Sequence, residues 1–136
     1  MVKLTGGCFC EQVRYEVELN SLDDARMSLC HCKNCKKVFG GNYGLTAKVP
    51  LSAFTLTKGN PKEHIGDNGS GSKVHREFCP NCGSYILEYG DAAKDDFRYI
   101  VSGSLDEPEK LPPKGEFFCR DRASWMPEIP GLFQKE

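Results

Sequence analysis

The sequence predicts an all-β fold, and three observations carry that reading. Short runs rich in aromatic and β-branched residues recur with a period of two, turn-forming Gly, Asn, Asp and Pro residues separate them, and only one brief stretch has helical character. Val13, Tyr15 and Val17 alternate with Arg14, Glu16 and Glu18, the pattern of a half-buried strand. Phe54 and Leu56 alternate in the same way with Thr55 and Thr57. The runs Val74 to Phe78, Tyr85 to Tyr89 and Phe97 to Val101 read as further strands from their composition. Turns fall at Lys58-Gly59-Asn60-Pro61 and at Gly90-Asp91, and the stretch from Gly66 to Ser72 reads as a flexible hairpin loop. Lys33 to Val38 is the one predicted helix. The tail from Pro108 is proline-rich but holds Phe117, Phe118, Trp125, Ile129, Leu132 and Phe133, so it is expected to pack on the body.

A length of 136 residues suits a single domain over 1–136 with a modest core. The formal net charge is -1 and no basic block stands out, so nothing in the electrostatics points to nucleic acid. No apolar run approaches the length of a membrane span, and the first seven residues lack the apolar run of a signal peptide. The expectation is a cytoplasmic protein in a reducing setting. There, clustered cysteines point to metal or redox chemistry before a disulfide framework.

The chain has 8 cysteines, and all but Cys119 fall into the clusters Cys8-x-Cys10, Cys30-x-Cys32-x-x-Cys35 and Cys79-x-x-Cys82. Cys79-Pro80-Asn81-Cys82-Gly83 is the strongest metal-binding signal, because proline sets the turn after the first thiol and glycine frees the backbone after the second. A thioredoxin-like redox pair would want a βαβ setting, whereas this one lies between two predicted strands. One such knuckle needs a partner pair, and Cys8 with Cys10 supplies it. Cys30, Cys32 and Cys35 can grip one face of a second ion. A fourth protein ligand would close that site; the candidates are His31, His75 and Cys119. His31 stands between two ligands, so its ring is expected to turn away from their ion. His75 on a strand reads as a satisfied surface histidine, and Cys119 as a small core hydrophobe. Structural zinc is fully ligated by protein while catalytic zinc keeps a position open, so the uneven split of thiols predicts one scaffold metal and one working metal. Lys33, Lys36 and Lys37 follow the triple cluster and form either a solvated face or a counter-charge for a carboxylate-bearing ligand.

These clusters, taken in order, resemble the glutathione-dependent formaldehyde-activating family, to which centromere protein V is related. The matching residues are Gly6-Gly7-Cys8-Phe9-Cys10 with Val13-Arg14-Tyr15, then Cys30-His31-Cys32 and Cys35, Gly40-Gly41, Phe78-Cys79-Pro80-Asn81-Cys82-Gly83-Ser84, Gly103-Ser104-Leu105-Asp106 and Trp125. The resemblance implies small folded β-sheets of the Mss4-like kind, stapled by zinc, and two zinc ions per chain. Cys8, Cys10, Cys79 and Cys82 would hold the structural ion, and Cys30, Cys32 and Cys35 the catalytic one. It further implies a carbon–sulfur lyase that condenses formaldehyde with glutathione to S-hydroxymethylglutathione, its partners being a small thiol and an aldehyde. A non-enzymatic zinc-stabilised binding module of the same fold is the alternative. Strand edges and the aromatic tail are the surfaces on which a homo-oligomer would form.

Overall fold

A computed structural model describes all residues from Met1 to Glu136. Eleven strands and one helix follow one another as β1 (Val2–Gly7), β2 (Arg14–Leu19), β3 (Arg26–Cys30), α1 (Lys33–Phe39), β4 (Gly44–Pro50), β5 (Phe54–Lys58), β6 (Lys62–Asp67), β7 (Lys73–Phe78), β8 (Tyr85–Gly90), β9 (Phe97–Val101), β10 (Gly115–Phe117) and β11 (Phe133–Gln134). They form a three-stranded sheet in the order β1-β2-β5 and an eight-stranded sheet in the order β11-β10-β3-β4-β9-β8-β7-β6. The turn at Lys58–Pro61 therefore carries the chain from the small sheet to the edge of the large one. The loop after Asp67 closes the β6–β7 hairpin.

One core of 16 buried residues draws on both sheets. On β2, Tyr15, Val17 and Leu19 are buried while Arg14, Glu16 and Glu18 are not, as the period-two pattern requires. Cross-strand register builds the other wall: Met27 pairs with Ala47, Ala47 with Ile100 and Ile100 with Leu87, all buried. Ile86 and Leu87 are both buried although they are consecutive, because the register shifts between Glu77 and Phe78 and leaves Ile86 as an extra residue in β8. The hydroxyl of Tyr15 meets Ser104 Oγ at 2.6 Å, which satisfies the one polar atom this ring brings inside.

The tail does less packing than expected. β10 lies parallel to both β3 and β11, and so fastens the segment to the large sheet. Trp125 is nevertheless 69% exposed and Phe133 54%. No helix is long and apolar enough to cross a membrane.

Candidate metal centres and cavity

Two groups of cysteine sulfurs converge in space. Cys8, Cys10, Cys79 and Cys82 form one, and Cys30, Cys32 and Cys35 the other; within each group the sulfurs lie within 4.8 Å of one another. Neither His31, His75 nor Cys119 joins the second group.

The four-sulfur group is assembled from two turns far apart in sequence. After β1, the Cys8 sulfur accepts the Val13 N–H at 3.2 Å. After β7, the Cys79 sulfur accepts the N–H groups of Asn81 and Cys82, each at 3.4 Å. Gly83 has φ +79, the left-handed turn that lets the chain leave the knuckle. Ser84 joins the halves: its Oγ accepts the Phe9 N–H at 3.0 Å and lies 3.2 Å from the Cys82 sulfur. The Ser84 hydroxyl, helped by backbone N–H groups, draws the Cys82 thiol down to about 5. Burial pushes Cys8 up, but the Val13 N–H and the neighbouring thiols outweigh it and leave that thiol lowered. Sulfur separations of 3.5 Å between Cys8 and Cys10 and 3.7 Å between Cys10 and Cys79 suit a zinc site. Four sulfurs at about 2.3 Å from one zinc stand about 3.8 Å apart.

The three-sulfur group sits where β3 runs into α1. Cys32 caps the helix, its sulfur accepting the Cys35 N–H at 3.3 Å, which draws those two side chains together. Gly44, the cross-strand partner of Cys30, leaves the room: a Cβ there would stand 2.6 Å from the Phe39 ring and 3.1 Å from Cys35 Cβ. Contact with the Cys35 thiol pulls Cys30 down to about 6 against the cost of burial, while the same contact pushes Cys35 up.

His31 turns away from the sulfurs into a buried polar network. Its Nε2 meets Glu116 Oε1 at 2.8 Å, and both side chains are fully buried. The other Glu116 oxygen accepts the Ile129 N–H at 3.0 Å and the Gln134 amide at 2.8 Å, while Arg122 Nε stands 3.5 Å from Oε1. Burial alone would raise the Glu116 carboxyl, yet these donors hold it down at about 2. His31 N–H also bonds to the Phe117 carbonyl at 3.0 Å, so the cysteine-bearing loop is pinned through both backbone and ring. Glu116 was not readable as a site residue. The only sequence signal was a histidine between two thiols in need of a partner.

Cys30 and Cys35 open onto the largest cavity, about 720 Å³. Phe39, Phe117, Phe118 and Phe133 wall it, and Arg26, Lys48 and Lys135 bring positive charge. Lys33, Lys36 and Lys37 take no part; Lys36 instead donates to the Asp121 carbonyl at 2.6 Å. The four-sulfur group contributes nothing to this cavity. Cys8 borders a separate hollow of about 490 Å³ beside Arg14 and Asp106.

Known proteins resemble this chain in sequence and in fold. The family described as glutathione-dependent formaldehyde-activating enzyme matches residues 3–121. A Schizosaccharomyces pombe protein named as an uncharacterized lyase is 26% identical over 89 residues, covering 63% of this chain and 57% of the relative. The match thus spans little more than half of that relative's length. A crystal structure of a Rhodobacter sphaeroides protein superposes with a TM-score of 0.58 at 22% identity, covering 97% of this chain and 99% of the other, and so shares the fold. The chain belongs to the glutathione-dependent formaldehyde-activating enzyme family.

Proposed function

We propose that this family member is a single-domain, zinc-dependent carbon–sulfur lyase acting on a thiol–aldehyde adduct of the S-hydroxymethylglutathione kind. Cys8, Cys10, Cys79 and Cys82 would hold a structural zinc, and Cys30, Cys32 and Cys35 a catalytic one. The observation that carries this reading is the unequal placement of the two groups. The three-sulfur cluster lines a roomy cavity, whereas the four-sulfur cluster ties two turns together away from it. A binding module stapled by zinc has no use for a partly ligated cluster at a cavity wall.

A zinc ion held by three thiolates would stabilise an incoming sulfur as thiolate at neutral pH, where a free thiol of pKa about 8.5 is mostly protonated. In the condensing direction the thiol sulfur bonds to the aldehyde carbon and the thiol proton ends on the former carbonyl oxygen; in the lyase direction that carbon–sulfur bond breaks and the hydroxyl proton returns to the sulfur. The chain's own residues do the positioning. The Cys32 cap and the Cys35 N–H set the sulfur triangle. Glu116 fixes His31, and with it the loop between Cys30 and Cys32. Since His31 is buried and engaged, it serves as a positioning residue. The phenylalanine walls offer apolar surface to the part of the substrate beside the sulfurs.

Metal analysis of the Cys35→Ser variant tests the assignment. The wild-type chain is expected to carry two zinc ions and the variant one, with an unchanged circular dichroism spectrum. Loss of both ions, or retention of both, contradicts it.

A further inference from the structure

The floor of the large cavity is one face of the eight-stranded sheet, and its register makes a ruler. The row nearest the sulfurs holds Cys30, Gly44 and Phe117; the next holds Ser28, Thr46 and Gly115. The far row runs Arg26, Lys48, Tyr99, Glu88 across β3, β4, β9 and β8. Cys30 lies four steps along β3 from Arg26, so the sulfur row and the cation row lie about 13 Å apart at the usual strand rise.

The two ends differ in chemistry from the middle. Arg26 and Lys48 are cross-strand neighbours of like charge, and neither forms a salt bridge. Lys48 Nζ rests 4.0 Å over the Phe97 ring. Like charges directly opposite each other on a sheet are destabilising, and an anion between them relieves the repulsion. The one acid in the row, Glu88, stands three strand spacings from Arg26, about 14 Å away, and takes the Tyr85 hydroxyl. Between the ends, Phe39, Phe117, Phe118 and Phe133 wall the cavity above a floor that carries the small side chains of Ser28 and Thr46. Phe118, 43% exposed, is held there at φ 55, a conformation that costs a bulky residue energy and needs a reason.

We propose that this cavity selects an apolar thiol ending in a carboxylate, or the aldehyde adduct of one. The sulfur lies at Cys30 and Cys35, the aliphatic or aryl body lies against the phenylalanines, and the carboxylate lies on Arg26 and Lys48. This rests on the reading of Cys30, Cys32 and Cys35 as the reactive metal site. On the side of Phe39, Phe117, Phe118 and Phe133 an apolar body keeps contact, whereas the amides of glutathione would lose hydrogen bonds to water there. The volume of about 720 Å³ also lies in the range of pockets that enclose a ligand of many heavy atoms, far beyond formaldehyde.

Calorimetric titration of the zinc-loaded protein with 8-mercaptooctanoate, 8-mercapto-1-octanol and glutathione tests it. The acid is expected to bind at least about tenfold more tightly than the alcohol or glutathione, the worth of one charge-assisted contact. Arg26→Gln and Lys48→Gln should each erase most of that preference and leave the alcohol unchanged. Equal binding of acid and alcohol, an undiminished preference in both variants, or no binding of the acid overturns the proposal. The same titrations on cobalt-loaded protein separate this from the metal assignment. A thiolate-to-cobalt band that responds to acid and alcohol alike, without an affinity difference, leaves the metal site standing and sinks the carboxylate end. A variant-sensitive preference with an unresponsive band does the reverse.

Discussion

Glu116→Ala is the most informative single perturbation of the framework. Glu116 is fully buried, and its two oxygens satisfy His31 Nε2, the Ile129 N–H and the Gln134 amide, with Arg122 close by. Truncation leaves those groups without their acceptor and opens a cavity. Each orphaned buried donor costs about 1–3 kcal/mol, but the losses are not additive because the side chains share one network. Removing one member of a buried charged network costs about 3–5 kcal/mol in total, a large share of the roughly 5–15 kcal/mol available to a domain. The assay is urea unfolding of the zinc-loaded protein, which with an m-value of about 2 kcal/mol/M should show the midpoint falling by roughly 2 M. Hydrogen exchange should localise the damage to residues 129–135 and the loop at His31, since β11 and that loop both depend on this carboxylate. A loss under about 1 kcal/mol, or damage spread evenly over β1 and β2, would refute the network's assigned role.

Two further outcomes follow from the packing. Ile100→Ala empties the centre of the Met27–Ala47–Ile100–Leu87 row and should cost about 2–5 kcal/mol in the same unfolding assay. His75 bonds to Glu63 on β6 and to Asp91 after β8, and these carboxylates raise its pKa. A raised folded-state value means that the stabilisation is fully present below the ordinary histidine range near 6.5 and fades as pH climbs through the higher value. Amides of β6 should therefore be better protected from exchange at pH 6 than at pH 9, after correction for intrinsic rates. In His75→Gln that difference should vanish, and its persistence would point elsewhere.

Much of the architecture was readable where side chains alternate strongly. β2, β7, β8 and β9 announce themselves by aromatic and β-branched residues, and α1 begins at Lys33 as expected. β3, Arg-Met-Ser-Leu-Cys, and β4, Gly-Leu-Thr-Ala-Lys-Val-Pro, carry weaker propensities and become strands through pairing with each other and with β9. The parallel placement of β10 beside β3 joins residues more than eighty positions apart, and no local pattern encodes it. The grouping of Cys8 and Cys10 with Cys79 and Cys82 was readable because a single Cys79/Cys82 knuckle needs a second pair of thiols to complete four ligands. The cavity's charges were not. Adjacency in sequence pointed to Lys33, Lys36 and Lys37, whereas the sheet's cross-strand register places Arg26 and Lys48 on the cavity face. Glu116 was hidden for the same reason, since a buried acid in a Gly-Glu-Phe-Phe run shows its role only once His31 lies against it.

X-ray absorption at the zinc edge, on protein purified without chelators, reaches the central idea most directly. With one ion held by four cysteines and the other by three, the averaged shell should contain between three and four sulfurs near 2.3 Å, together with a lighter scatterer, at two zinc ions per chain. Four sulfurs around every zinc, or a single zinc per chain, would contradict the division of labour between the two cysteine groups.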